Sequence, residues 1–463
     1  MIEENELPKA WKLVKLREVL STLESGKRPK GGVQGIESGI PSIGAEHLNS
    51  EGGFKFSKIK FVPKEFADSM QRGKIRLNDI IVVKDGATTG KTSFVGKDYP
   101  FDNSVINEHV FICRTVENVD SKYIFYNMFS EKGKDQILED FRGAAQGGIS
   151  SKFVDLVKIP LPPLAEQQRI IAKLEELLSE LEKGKEQLHT ALDQLKVYRQ
   201  AVLKYAFEGK LTEEWRKQKK ELPSVEELRK QLRNEIENKV RETGKKLKPI
   251  PPILENELAS LPTLPKNWYW GRMGEVLWSV KDGPHYSPKY QKIGIPFISG
   301  GNVSPEGIDF RNTKFISKVL HKELSLRCKP ELNDVLYTKG GTTGIARVNT
   351  YKVDFNVWVH VAVLKTVNSF YPFYLQHALN SNHCYTQSQK YTHGVGNQDL
   401  GLTRMILITL PICSFEEQLR VVEEIESRLS VADKLEETIT ASLQQSETLR
   451  QSILKKAFEG GLV

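Results

Sequence analysis

"RQAVLKYAFEGKL" at residues 199–211 returns as "RQSILKKAFEGGL" at 450–462, with nine identities in thirteen positions at a distance of 251 residues. Self-similarity at a fixed distance decides how many times a fold is built, so it is settled before any single motif. The same distance joins "EQQR" at 166 to "EQLR" at 417. Slightly longer distances join "LPKAW" at 7 to "LPKNW" at 264, "GIP" at 39 to "GIP" at 294, and "LND" at 77 to "LND" at 332. The chain is a duplication with small insertions inside each copy.

The duplication also disposes of a tempting motif. "GATTGKT" at 86–92 looks like the phosphate loop of a nucleotide hydrolase, but that loop needs four residues between its first Gly and the Gly-Lys-[Ser/Thr] trio, so that successive N–H groups wrap the phosphates. Here Ala87, Thr88 and Thr89 supply three. In the repeat, "GGTTGIA" at 340–346, the Lys and the final Thr have become Ile345 and Ala346. Whatever this loop does, it does twice and without the lysine.

Composition bounds the class. With 463 residues, 39% apolar and 27% charged, the chain is long enough for two to four domains of an ordinary soluble protein. No apolar run reaches the length of a membrane span and the start "MIEENE" is no signal peptide, so a cytoplasmic protein is expected. Cys113, Cys328, Cys384 and Cys413 lie far apart without metal-type spacing and read as buried free thiols. Nine histidines show no ligand spacing either, so neither metal nor cofactor is assigned. The net charge of +8 suits a polyanionic partner, and it is unevenly spread: +2 over 1–164, 0 over 165–211, +2 over 212–262, +8 over 263–413 and −4 over 414–463.

Each copy has the same two-part grammar, and the whole reads as α+β. Residues 1–164 and 263–414 mix β-branched runs such as "DIIVVK" and "VHVAVLK" with Gly, Pro, Asn and Asp punctuation, which predicts compact β-rich domains. The proline stops "IPLPP" at 159–163 and "LPICS" at 410–414 follow, and the period then becomes helical over 165–211 and 415–463. Apolar residues fall three and four apart at Ile171, Leu174, Leu178, Leu181, Leu188, Leu192, Leu195 and Val202, interrupted by Lys185 and Arg199. The second copy repeats the stripe at Val422, Ile425, Leu429, Ala432, Ile439, Leu443 and Ile453, interrupted by Glu436, Ser446 and Arg450. Packing each helix on its own domain is one reading of these stripes. A strict two-in-seven stripe instead marks helices that pair with each other, here over about 60 Å at about 1.5 Å per residue. Arg199 and Arg450 are equivalent and would collide in a parallel pair, which selects the antiparallel one. That arrangement sends Arg199 towards Val422 and predicts a central contact between Lys185 and Glu436. Only the first copy continues past its helix, into a charged, partly helical spacer over 212–262.

A globular domain, a stop written "PLPPLAEQQRI", a long helix closing on "RQAVLKYAFEGKLT", then the whole unit again, resembles the specificity (S) subunit of Type I restriction-modification enzymes across essentially the entire chain. The loops "GATTG" and "GGTTG" resemble one common in that family's DNA-reading domains. The resemblance implies a non-catalytic subunit with two target recognition domains, each reading one half of a split double-stranded DNA sequence. It implies that the helix pair sets the half-site spacing and docks the methyltransferase (M) subunits, with restriction/translocase (R) subunits joining through the complex and no membrane partner. Absences agree with a non-catalytic role. The Pro162-Pro163 and Pro251-Pro252 pairs lack the flanking residues of an adenine methyltransferase tetrapeptide, and a nuclease-like set at Asp102 and Asp120-Ser121-Lys122 is not repeated in the second copy. A protein–protein adaptor with two gripping domains is the alternative reading.

Base edges are read by multi-donor side chains on loops, whereas phosphates take Lys, Arg, hydroxyls and backbone N–H groups. In the first copy the candidate DNA-binding residues are Lys27, Arg28 and Lys30; Thr88, Thr89, Lys91 and Ser93; and Arg142, Gln146, Ser150, Ser151 and Lys152. In the second they are Lys281, His285, Tyr286 and Lys289; Lys339, Thr342 and Thr343; and His393, Asn397 and Gln398. Gln146, Asn397 and Gln398 are the expected base readers and Lys339 an expected phosphate anchor. The Thr-Thr-Gly loops either cradle a DNA phosphate or complete a turn with their own backbone.

Overall fold

A computed structural model describes residues 7–143, 147–244, 249–394 and 398–463. The chain divides into two compact units, one formed by 1–190 with 439–463 and the other by 191–438. Each long helix contributes one end to each unit.

In the first unit the strands are β1 (Lys12–Lys15), β2 (Leu20–Ser25), β3 (Ile40–Ile43), β4 (Lys60–Val62), β5 (Ile80–Val83), β6 (Thr92–Phe94), β7 (Val105–Ile106), β8 (Val110–Thr115) and β9 (Lys158–Leu161). Its helices are α1 (Lys64–Ser69), α2 (Ser121–Phe129), α3 (Glu131–Leu138), α4 (Phe153–Leu156) and the long α5 (Leu164–Phe207), whose end belongs to the second unit. The spacer holds α6 (Glu213–Gln218), α7 (Val225–Thr243) and α8 (Glu255–Ala259). The second copy follows with β10 (Tyr269–Arg272), β11 (Leu277–Asp282), β12 (Ile295–Ile298), β13 (Lys314–Ile316), β14 (Val335–Thr338), β15 (Ala346–Val348), β16 (Asn356–Val357), β17 (Val361–Thr366) and β18 (Thr409–Ile412). Helices α9 (Lys318–Arg327), α10 (Pro372–Leu379), α11 (Asn382–Tyr391), α12 (Leu402–Met405) and the long α13 (Phe415–Phe458) complete it.

The duplication extends to topology. Sheets ordered β2-β8-β5-β6, β4-β3-β7 and β1-β9 in the first unit recur as β11-β17-β14-β15, β13-β12-β16 and β10-β18 in the second. The run Ile80–Val83 is apolar throughout because β5 is a central strand covered on both faces. Successive side chains point to opposite faces, so Ile80 and Val82 enter one core while Ile81 and Val83 enter another. Before β5 and β14 the repeated "LND" makes one turn. Asn78 and Asn333 take φ of 69° and 68°, a left-handed conformation that Asn tolerates better than other side chains. Asp79 then accepts from the Arg76 N–H at 2.8 Å, and Asp334 from that of Glu331 at 2.7 Å.

The other repeated phrases meet one another. Gly209 and Gly460 end the "AFEG" closings at φ of 73° and 78°. A Cβ at either would lie 2.4 or 2.5 Å from Pro265 or Pro8, so "LPK" packs where only glycine leaves room. Gln167 and Gln418 do the same work in each copy. Each donates to the proline stop (Pro162 O, 2.8 Å; Cys413 O, 2.9 Å) and accepts from the N–H just ahead of an earlier helix, α2 or α10 (Asp120, 2.9 Å; Tyr371, 2.7 Å). Tyr123 and Tyr374 donate to Pro160 O and Pro411 O at 2.5 and 3.0 Å.

The long helices pair antiparallel, and each unit shows one end of the pairing. In the first, Ile170, Ile171 and Leu174 near the start of α5 share a core with Ile453, Leu454, Ala457 and Phe458 near the end of α13. In the second, Val202, Leu203, Ala206 and Phe207 near the end of α5 share a core with Val421, Val422 and Ile425 near the start of α13. These ends also pack on the globular cores, with Phe458 against Tyr123 at 5.3 Å and Phe207 against Tyr374 at 5.2 Å between ring centroids. The two readings of the stripe are therefore both realised at the ends. The register differs from expectation. Arg199 pairs with Asp433 at 2.6 Å and Glu436 at 2.8 Å rather than lying near Val422, and so takes the acid assigned to Lys185. Lys185 pairs with Glu182, 3.1 Å away on its own helix. Arg450, the equivalent of Arg199, instead lies over the Phe129 ring, 5.1 Å from its centroid.

Candidate nucleic-acid interface

In the first unit, two of the predicted loop groups are stitched together by the backbone. Gly86 N donates to Gly147 O at 3.2 Å and Ile149 N to Lys84 O at 2.8 Å, which brings the Thr-Thr-Gly turn against the 140–152 loop. His109, just before β8, holds Asp85 at 2.6 Å through Nδ1, and Glu108 pairs with Arg28. Lys27, Arg28, Lys30, Thr88, Arg142, Ser150, Ser151 and Lys152 are exposed. Asp140, 2% exposed, accepts from the Ser150 N–H and Oγ, both at 2.7 Å, and so shapes the loop that presents Lys152. Gln146 lies outside the described residues.

Two first-copy residues are corrected. Ser93 is fully buried and donates to Gly53 O at 2.7 Å, because it faces inward on β6. Thr89 is buried and its hydroxyl closes on Gly86 O at 2.7 Å, so it completes a turn with its own backbone. Lys91 is half-buried, with Nζ 3.4 Å from Leu48 O.

In the second unit, Lys281, His285, Tyr286 and Lys289 are exposed on and after the end of β11, as are Thr342, His393 and Gln398 on the paired loops. Leu400 N donates to Lys339 O at 2.8 Å, which docks those loops on each other. Asn397 lies outside the described residues. Thr343 is buried, as its equivalent Thr89 is. Lys339 is the main correction. It is 2% exposed, and its ammonium is engaged by Asp399 at 2.6 Å, Val359 O at 3.1 Å and Asp282 at 3.6 Å. It anchors the loop, not a phosphate. Lys339→Met should therefore lower the second unit's stability by about 2 kcal/mol, below the ~3–5 of a fully orphaned buried charge because Arg327 stays 2.8 Å from Asp282. Urea titration of the variant checks this; a stable variant with a flattened salt dependence of DNA binding would restore the phosphate role.

The sequence reading passed over a pair that the repeat distance marks. His109 and His360 stand 251 residues apart and both hand their carbonyl to the lysine that follows the neighbouring strand, Lys84 at 2.8 Å and Lys339 at 2.9 Å. The acid that faces His109, Asp85, is replaced at the same bend by Gly340. Nor is there a reactive thiol. The four cysteines are free and buried, and burial pushes the thiols of Cys328 and Cys384 up to about 12.

A mixed-sheet domain built twice, each copy closing on a long helix, defines an internally duplicated two-domain protein. Residues 8–189 and 265–445 match the Type I restriction modification DNA specificity domain, and the chain belongs to that family. It is 33% identical to the EcoKI specificity subunit of Escherichia coli K12 over 215 residues, 44% of this chain and 45% of that one. To the EcoBI specificity subunit of Escherichia coli it is 25% identical over 93% of this chain and 84% of the relative. In fold it is similar to the HsdS subunit from Thermoanaerobacter tengcongensis (TM-score 0.54, 18% identity, 98% of both chains). A chain from a study of complex assembly and conformational transition of the type I R-M system also matches (TM-score 0.66, 20% identity, 98% of this chain and 99% of that one). The relatives are specificity subunits, non-catalytic components of the restriction-modification complex, and this chain is one of that kind. Among the described residues no helix is long and apolar enough to cross a membrane.

Proposed function

We propose that this specificity subunit reads a bipartite DNA target, one recognition domain per half-site, while the helix pair sets the distance between half-sites and docks the methyltransferase subunits. The observation that carries this is the repetition of the whole topology, each copy ending in a long helix. Two similar readers, each closing on a long helix, suit a split sequence whose intervening bases go unread. A helix of about 60 Å corresponds to about 18 base pairs at about 3.4 Å each, enough for two short half-sites and a gap. Restriction/translocase subunits join through the complex.

The residues proposed to face DNA are the exposed ones: Lys27, Arg28, Lys30, Thr88, Arg142, Ser150, Ser151 and Lys152 in the first unit, and Lys281, His285, Tyr286, Lys289, Thr342, His393 and Gln398 in the second. Gel-shift titration of the subunit with its methyltransferase is the test. Sequence-dependent binding to a split site, matched by loss of that methylation in cells lacking the subunit, is expected; binding blind to sequence would favour the adaptor reading. In the same assay Lys30→Ala with Lys152→Ala should weaken all sequences alike and flatten the log–log salt slope by about 0.9 for each lysine that reaches a phosphate.

A further inference from the structure

The second unit holds a cleft where the first carries charged pairs. It has a volume of about 570 Å³ and its walls include Gly300, Gly340, Thr342, Trp358, His360 and Gln398. In the first unit the corresponding histidine, His109, is engaged by Asp85, and Glu108 beside it by Arg28. In the second, glycine stands in place of that aspartate. A Cβ at Gly340 would lie 2.1 Å from His360 Nδ1, so only bare backbone fits against this edge of the ring. Two recessed nitrogens result. Trp358 Nε1 and His360 Nδ1 are shielded from solvent and have no hydrogen-bond partner among the described residues. Buried polar atoms without partners are rare in native proteins and ask for an explanation. The rings are held edge to face, 4.8 Å between centroids at 78°, so the two nitrogens are fixed on rigid groups.

We propose that this cleft seats the edge of a nucleobase in the half-site read by the second unit, with Trp358 and His360 as specificity-determining residues. This rests on reading that unit as a DNA-recognition domain. The indole N–H only donates, so it meets an acceptor such as purine N7 or O6; the imidazole nitrogen donates or accepts with its tautomer and reads the neighbouring group. Phosphate fits less well. Phosphates draw Lys and Arg, and among the described residues neither is in the wall; Lys339, next to Gly340 in the chain, is engaged by Asp399 and Asp282.

The test uses the full chain assembled with its methyltransferase and a set of duplexes carrying the methylated site with each base pair changed in turn. Trp358→Phe removes the N–H and keeps the ring against His360, and His360→Gln is an independent change on the same wall; melting curves check that both fold. The expected result is a loss of discrimination of about tenfold or more at one or two adjacent base pairs of one half-site, with the other half-site read as before. A uniform drop across all duplexes would assign the cleft to phosphate and overturn the proposal, as would unchanged discrimination at every position. If the unaltered complex itself shows no sequence preference, the DNA-recognition reading fails instead.

Discussion

Glu417→Ala should lower the stability of the second unit by about 3–5 kcal/mol, the cost of breaking a largely buried ion pair by removing its acid. Glu417 is 1% exposed and accepts three hydrogen bonds: from Thr212 Oγ1 at 2.8 Å, Arg216 Nη1 at 2.6 Å and Trp268 Nε1 at 2.8 Å. The first turn of α13, the spacer and the start of the second recognition domain thus close on one carboxylate. Its equivalent, Glu166, meets only the Trp11 indole among these groups, at 3.1 Å and partly exposed, so Glu166→Ala should cost about 1 kcal/mol. Calorimetry separates the two. A fall of about 10 °C in one transition is expected for Glu417→Ala, at about 2–4 °C per kcal/mol for a unit of this size, and a few degrees in the other for Glu166→Ala. Equal shifts would mean that the buried triad adds nothing beyond the shared indole bond.

The second large effect concerns the spacer. Leu228 and Leu232 on α7 are 6% and 5% exposed within the second unit's core, flanked by the half-buried Val225 and Ile236. Arg229 lies over the Tyr269 ring at 4.5 Å and Glu235 accepts from the Ser369 N–H at 3.0 Å. Replacing both leucines with alanine should remove about 4 kcal/mol, taking the lower end of ~2–5 for each buried Leu→Ala. Limited proteolysis should then cut within 219–262 at protease levels that spare the parent, with the first unit intact. Resistance equal to the parent's would show that α7 is held by its charges alone.

Much of this was legible in the chain. "LND", "LPK", "EQ" and "AFEG" recur because each is a joint whose geometry only those residues satisfy locally: an αL asparagine, a proline against a glycine, a glutamine bridging a strand end and a helix start. What stayed hidden depends on partners far along the chain. Lys339 sits in "TKGG" like a solvent-facing lysine, and only folding brings in Asp282 and Asp399, 57 and 60 residues away. The spacer's stripe at Val225, Leu228, Leu232 and Ile236 was present but diluted by charge. Its landing site exists in one copy alone, where Tyr269 and Trp278 stand in place of Lys12 and Ser21. The helix register escaped because the helix ends are anchored in globular cores, whose packing fixes how far the helices slide before any charge on the seam does. Among the expected base readers, only Gln398 lies in the described structure.

The helix ends carry a consequence for how such a protein arises. Val202, Leu203, Ala206 and Phe207 fill the second unit's core, and Ile453, Leu454, Ala457 and Phe458, each 251 residues further on, fill the first's. The plugs are interchangeable in kind, aliphatic, aliphatic, alanine and phenylalanine, each phenylalanine meeting a tyrosine edge on at nearly the same separation. A half-length chain ending near residue 211 would therefore already own the piece its own socket lacks, in the wrong place to use it on itself. Two such chains would complete each other by exchange, and a gene encoding one half would need no new interface to work as a symmetric pair. Fusion of two halves would then free each head to diverge, as Gly340 has from Asp85, while the plugs stay alike.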